Sequence, residues 1–255
     1  MFLVTINYDI WANLYDTVYE DVVDDIPYYI DQIKKPDYEV LELGCGTGRV
    51  SIPIAEITSN LTALDLSTQM VTILKEKSMQ RGLLLDCVIG DMRSFALDSK
   101  FDLVIIPFRG FQSLLTVSDQ EQCLTAIHKH LKHDGKVIVD MFFPSLEMFD
   151  QDSRVFYDVK KIYDEASGRS TLVKHKSSFD THTQVIQTTL VVEISRAGTV
   201  TETRYADFPL RYTHPREAEY LFLNNGFMTK NIINNFTNSV EYQTSEMVFE
   251  LGKIT

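Results

Sequence analysis

Glu42-Leu43-Gly44-Cys45-Gly46-Thr47-Gly48 closes the short apolar run YEVLEL, and Val50, Ile54 and Ile57 follow it at helical spacing. A buried strand therefore runs into a glycine loop and then into a helix. Glycine lets a backbone turn tightly and approach a ligand without side-chain collision. A dinucleotide fingerprint would want glycine at the positions of Gly44, Gly46 and Arg49, and Arg49 breaks that spacing, leaving GxGxG.

The same alternation continues downstream. LTALDL (61–66), LLLDCVIGD (83–91), FDLVIIPF (101–108) and KVIVDMFF (136–143) read as four further strands. Ser67 can cap the helix after the second strand, while Ser118 and Glu121 have the spacing of a capping box. Leu124, Ile127 and Leu131 then mark one helical face, with a turn at Asp134 and Gly135. The near-continuous apolar runs suit strands covered by helices on both faces. Upstream, Tyr8 to Ile33 mixes aromatics with acids as one or two short helices. The expected fold is α/β: a doubly wound, mostly parallel seven-stranded sheet.

Beyond Asp150 the pattern changes to β-branched and aromatic runs, 155–165, 170–180, 184–195 and 200–210, with no helix between them. These predict an added antiparallel β-sheet. Pro215 can open a helix through Ala218, Leu221 and Phe222, and 227–236 and 241–252 close the chain as two strands. The organisation follows: 1–150 for N-terminal helices and the core, 151–212 for the inserted sheet and 213–255 for the completing helix and strands.

The order of elements from Tyr38 to Phe142 resembles the class I S-adenosylmethionine-dependent methyltransferases, among them small-molecule enzymes with an inserted antiparallel sheet. Three stations beside the glycine motif carry the resemblance. Asp65 ends the second strand, where an acid can accept hydrogen bonds from both ribose hydroxyls. Gly90-Asp91-Met92 follows the third strand, and Ile106 to Gly110 ends the fourth. The resemblance implies S-adenosyl-L-methionine as cofactor, with Glu42 and the Gly44 backbone at its methionine end and Cys45, Gly46 and Gly48 also among its contacts. It places Asp65 on the ribose, Leu66, Met70, Asp91 and Met92 around adenine, and Pro107 near the methyl group. Met70 reads equally well as a core side chain, and Cys45 as a small loop filler with no histidine to activate it.

The implied reaction is in-line transfer of the sulfonium methyl to a small-molecule nucleophile; protein or tRNA methylation and a catalytically silent regulatory protein are the alternatives. The donor is already activated, so alignment and exclusion of water are the main demands. Tyr8, Tyr15 and Tyr19 can belong to a lid or to packing, and Tyr15 is the chosen cofactor contact. Arg109 follows the fourth strand and can orient an anionic group or pair with a loop acid. Arg211, Tyr212 and His214 leave the inserted sheet towards the acceptor side, so Arg109, Tyr212 and His214 are the residues placed nearest the chemistry. Thr213 or His214 serves equally as the cap before Pro215.

Asp and Glu total 36 against 24 Lys and Arg, for a formal charge of −12. That sign disfavours a phosphate-backbone partner. No apolar stretch approaches the roughly 18 residues of a membrane span, and the start lacks a basic leader. A cytoplasmic, reducing compartment is expected for the three scattered cysteines. His128, His130 and His133 lack metal spacing, so no metal is assigned. The tyrosine-rich front and inserted sheet leave room for a homodimer interface.

Overall fold

The computed structural model describes residues 8–19, 21–236 and 246–254. Strands β1 (Val40–Leu43), β2 (Leu61–Asp65), β3 (Asp86–Ile89), β4 (Phe101–Ile106), β5 (Leu131–Phe142), β10 (Phe227–Asn234) and β11 (Glu246–Lys253) form one sheet in the order β10-β11-β5-β4-β1-β2-β3. β1 pairs in parallel with β2 and β4, and β11 is antiparallel to both β5 and β10. The order reverses beside β1, so the loops after β1 and β4 diverge and leave a crevice at their carboxyl ends. This is the doubly wound, mostly parallel seven-stranded sheet expected.

Both faces are covered, which explains the continuous apolar runs. Leu41, Leu43, Val104, Ile106, Val137 and Val139 pack with Leu124 and Ile127 of α5 (Val117–His130) and Phe222 of α7 (Pro215–Asn224). Val40, Ile105, Ile138 and Val248 face the other way, against Tyr29 of α2 (Ile26–Asp31) and Ile54 of α3 (Ser51–Ala55). Each large side chain fully buried in this way contributes roughly 1.5–3 kcal/mol.

The later strands β6 (Tyr157–Asp164), β7 (Arg169–Asp180), β8 (Val185–Arg196) and β9 (Thr199–Arg211) make a separate antiparallel meander in sequential order. Its inner face, with Val173, Leu190, Val192 and Ile194, packs on Trp11, Leu14 and Val18 of α1 (Tyr8–Tyr19) and on Met70 of α4 (Thr68–Gln80). Trp11 meets Phe208 edge to face at 5.4 Å. At the sheet's base the buried Gln112 amide donates to the carbonyls of Phe142 (2.8 Å) and Arg211 (3.2 Å) and accepts the Phe142 amide at 2.7 Å.

Several local expectations shift. The helix after the glycine loop ends at Ala55, and Ile57 is exposed. Thr116, not Ser118, caps α5: its extended backbone lets Oγ1 accept the Asp119 amide at 3.0 Å, which places Ser118 inside the helix. β5 begins at Leu131, paired to Phe101, so Asp134 and Gly135 lie within the strand at a register irregularity. Ser67 caps α4 as read, and His214 is the N-cap residue of α7. The last strand begins at Glu246, and 241–245 lie outside the described residues. Among the described residues no helix is long and apolar enough to cross a membrane.

Candidate active-site cleft

The crevice at the carboxyl ends of β1, β2 and β4 is a single cleft. Its floor is built from Glu42, Gly44, Cys45, Gly46, Asp65, Leu66, Met70, Gly90 and Met92. Tyr8, Tyr15 and Tyr19 of α1 cover it together with Phe208 and Leu210 of β9, and Pro107 to Gly110 form the wall after β4.

Two acids stand on the floor. Glu42 points from the end of β1, is 2% exposed and accepts the Ser51 hydroxyl at 2.5 Å. Burial pushes its carboxyl up from 4.5 to about 8, and the hydroxyl only partly offsets this. An opposite charge arriving in the cleft would restore its ionised form. Asp65 ends β2 and is bound on both oxygens, Oδ2 by the Gly46 amide and Oδ1 by the Ser67 amide, each at 2.8 Å. Burial raises its pKa while these backbone donors oppose the rise. These donors do not exhaust the acceptor sites of a carboxylate, so Asp65 can still accept from a ligand hydroxyl.

Gly44, Gly46 and Gly48 all have positive φ, for two different reasons. A Cβ on Gly46 would meet nothing within 4 Å, whereas one on Gly48 would lie 2.3 Å from Leu74 Cδ1. Gly46 is therefore open to the cleft side, and Gly48 permits close packing of the loop against α4. Gly48 does not line the cleft.

Helix α1 is fastened over this floor by its own acids. Asp9 accepts the Ser67 hydroxyl at 2.5 Å and the Gln69 amide at 3.1 Å. Asp16 accepts the Thr47 hydroxyl and pairs with Lys77, both at 2.6 Å. Burial pushes the Tyr8, Tyr15 and Tyr19 hydroxyls above the usual phenol range, so they stand over the cleft as neutral hydrogen-bonding groups.

The wall after β4 has an unusual backbone. Phe108 and Arg109 are consecutive non-glycine residues with φ of 48° and 64°. Phe108 packs edge to face on Tyr19 at 5.1 Å and lies under the Arg49 guanidinium at 4.9 Å. Arg49 is itself held by both oxygens of Asp25, at 2.5 and 2.7 Å. Arg109 stacks on Phe142 at 4.3 Å and pairs with Glu246.

Of the residues singled out in the sequence, Tyr15, Glu42, Gly44, Cys45, Gly46, Asp65, Leu66, Met70, Met92, Pro107 and Arg109 line this one cleft. Asp91 does not; it is turned to Arg93, which binds both its oxygens. Tyr212 and His214 are also outside the lining. Tyr212 is buried with Phe142 and Ile186, and His214 packs on Phe143 at 4.9 Å at the start of α7, so neither reaches the cleft as expected. Arg211 is turned inward as well, onto Glu217, Gln184, Gln120 and Thr213. His130 is buried and bridges Ala126 O and the Leu97 amide. Sequence reasoning passed over Arg49, Phe108 and Asp140. The first was legible only as a broken glycine spacing, and an acid inside the apolar run KVIVDMFF was the available signal for the last.

The fold is the α/β methyltransferase fold, as the comparisons show. The family described as a methyltransferase domain matches residues 40–135, from β1 into β5. A provisionally named methyltransferase of Bacillus subtilis is 28% identical over 179 residues, covering 64% of this chain and 70% of that protein. Two further curated relatives are spanned over 42% and 57% of their own length. An S-adenosylmethionine-dependent methyltransferase from Clostridium acetobutylicum superposes with TM-score 0.79 at 18% identity, over 97% of this chain and 99% of the other. CalS10, an amino pentose methyltransferase from Micromonospora echinaspora solved with S-adenosylmethionine bound, gives 0.75 at 20% identity over 94% and 96%.

Proposed function

We propose that this protein binds S-adenosylmethionine in the cleft and transfers its methyl group to a small-molecule nucleophile. The observation that carries this reading is the convergence of Glu42, the Gly44–Gly46 turn and Asp65 on one floor beneath a tyrosine-lined cover. The residues fit the cofactor on their own chemistry. Glu42, buried with no salt-bridge partner among the described residues, suits the ammonium of the methionine end; Asp65 suits the ribose diol; Leu66, Met70 and Met92 offer apolar surface for adenine.

When bound, S-adenosylmethionine supplies a methyl group on a sulfonium, already activated for displacement. The chain's own task is alignment. The Gly44–Gly46 turn and Pro107 set the depth of the donor, while Phe108, Arg109 and Ser113 face the remaining space where an acceptor can sit. Tyr8, Tyr15, Tyr19, Phe208 and Leu210 exclude water from that space.

A small acceptor is favoured over a protein or tRNA because α1 and β9 roof the cleft, and the net charge of −12 opposes a nucleic acid. The test is calorimetric titration with S-adenosylmethionine, followed by transfer of labelled methyl into a cell extract split into small-molecule and macromolecular fractions. Label in the small fraction is expected. Label confined to protein or RNA overturns the acceptor class, and binding without any transfer supports a silent cofactor-binding protein instead.

A further inference from the structure

Asp140 lies on β5, two residues before the end of the strand, and is 2% exposed. Such a carboxyl is costly to keep inside a sheet core unless something uses it. Its Oδ2 accepts the Phe108 amide at 2.9 Å, and its Oδ1 has no partner among the described residues. Burial and the nearby Glu246 raise its pKa well above the carboxylate range. Tyr29 Oη and Glu246 Oε2 are also buried with no hydrogen-bond partner among the described residues. The polar group is thus retained although most of its hydrogen-bonding capacity goes unmet, which singles out the one bond it makes.

That bond falls on the strained turn. Phe108 and Arg109 both occupy the left-handed region, which side chains other than glycine rarely adopt and which persists only when neighbours enforce it. The turn aims the Phe108 ring at Tyr19 of the covering helix and the Arg109 guanidinium at Phe142 and Glu246. Both residues line the cleft.

Resting on the proposed methyl transfer, we infer that Asp140 is a positioning residue: through the Phe108 amide it locks the left-handed Phe108–Arg109 turn that forms the acceptor wall and seats the Tyr19 end of the lid. It touches neither donor nor acceptor. What it supplies is a fixed hydrogen-bond acceptor, so an amide oxygen at the same place should do the same work.

The experiment compares Asp140→Ala and Asp140→Asn with the unaltered full chain. Three quantities are read: the affinity for S-adenosylmethionine, transfer of labelled methyl into the small-molecule fraction of a cell extract, and hydrogen exchange of the Phe108 amide. In Asp140→Ala the Phe108 amide should lose protection and transfer should fall about 100-fold, the scale of a misplaced reacting group, with cofactor affinity kept within about 3-fold. Asp140→Asn should restore both protection and transfer. Transfer in Asp140→Asn as low as in Asp140→Ala overturns the inference, because the acid itself would then be needed. Unchanged transfer in Asp140→Ala, or a protected Phe108 amide in that variant, overturns it too. If Asp140→Ala does not fold, Asp140→Asn decides alone by retaining or losing transfer and Phe108 protection. Should the unaltered chain neither bind the cofactor nor transfer label, the functional reading fails, while Phe108 exchange still reports whether Asp140 holds the turn.

Discussion

The Asp65 carboxylate accepts the Gly46 amide at 2.8 Å, which makes the acid at the end of β2 and the glycine loop after β1 a single hydrogen-bonded unit. Loop and acid are therefore set in place together, before any ligand arrives.

Asp65→Ala should weaken S-adenosylmethionine binding on two counts, by removing the acceptor for the ribose hydroxyls and by releasing the loop. Hydrogen bonds to a charged group contribute about 1.5–3 kcal/mol, so a loss of roughly 10- to 150-fold in calorimetric Kd is expected. Affinity unchanged within a factor of two would remove Asp65 from the site.

Glu42 gives stability a defined pH dependence. Its folded pKa is raised from 4.5 to about 8, so the fold favours the protonated form. This contribution is complete below about 4.5, declines as pH rises and is gone above about 8. Glu42→Gln should therefore flatten the fall of Tm between pH 5 and 9 while weakening cofactor binding. Parallel Tm curves for the two proteins would contradict the assignment.

The loop glycines should separate by phenotype. Gly48→Ala forces a Cβ against Leu74 at positive φ and should destabilise the fold by about 1–3 kcal/mol in denaturant titration. Gly46→Ala meets open space, so its larger effect should be on ligand affinity. A greater stability loss at Gly46 than at Gly48 would reverse this picture.

Arg211 is 5% exposed and binds Glu217, Gln184, Gln120 and Thr213. Arg211→Met leaves those groups short of a donor and should lower stability by roughly 2–3 kcal/mol in thermal or chemical unfolding. Cofactor affinity at a temperature where the variant is folded should be retained. A selective loss of transfer without loss of stability would put Arg211 back on the acceptor side.

The parallel core was legible because buried strands and helix faces impose different spacings, and because LTALDL and FDLVIIPF have no competing reading. The floor of the cleft was legible for a related reason: Glu42, Gly44 and Asp65 sit at strand ends, whose positions follow once the strands are known. Tyr212 lies outside the cleft because where a side chain points depends on partners far away in the chain, here Phe142 and Ile186, whereas Asp91 is taken up by Arg93 of the same loop. Asp140 stands out as an acid in KVIVDMFF, but its role was not legible: the hydrogen bond it makes goes to a backbone amide, which no sequence pattern records.

The Gln112 amide touches the chain at Phe142, just before the antiparallel meander, and again at Arg211, where the meander ends. The excursion thus departs and returns within the span of one side chain. A base this narrow separates the two sheets mechanically: a change of length at the far end of the meander should reach the roof of the cleft without shifting the register of β5 against β4 or β11.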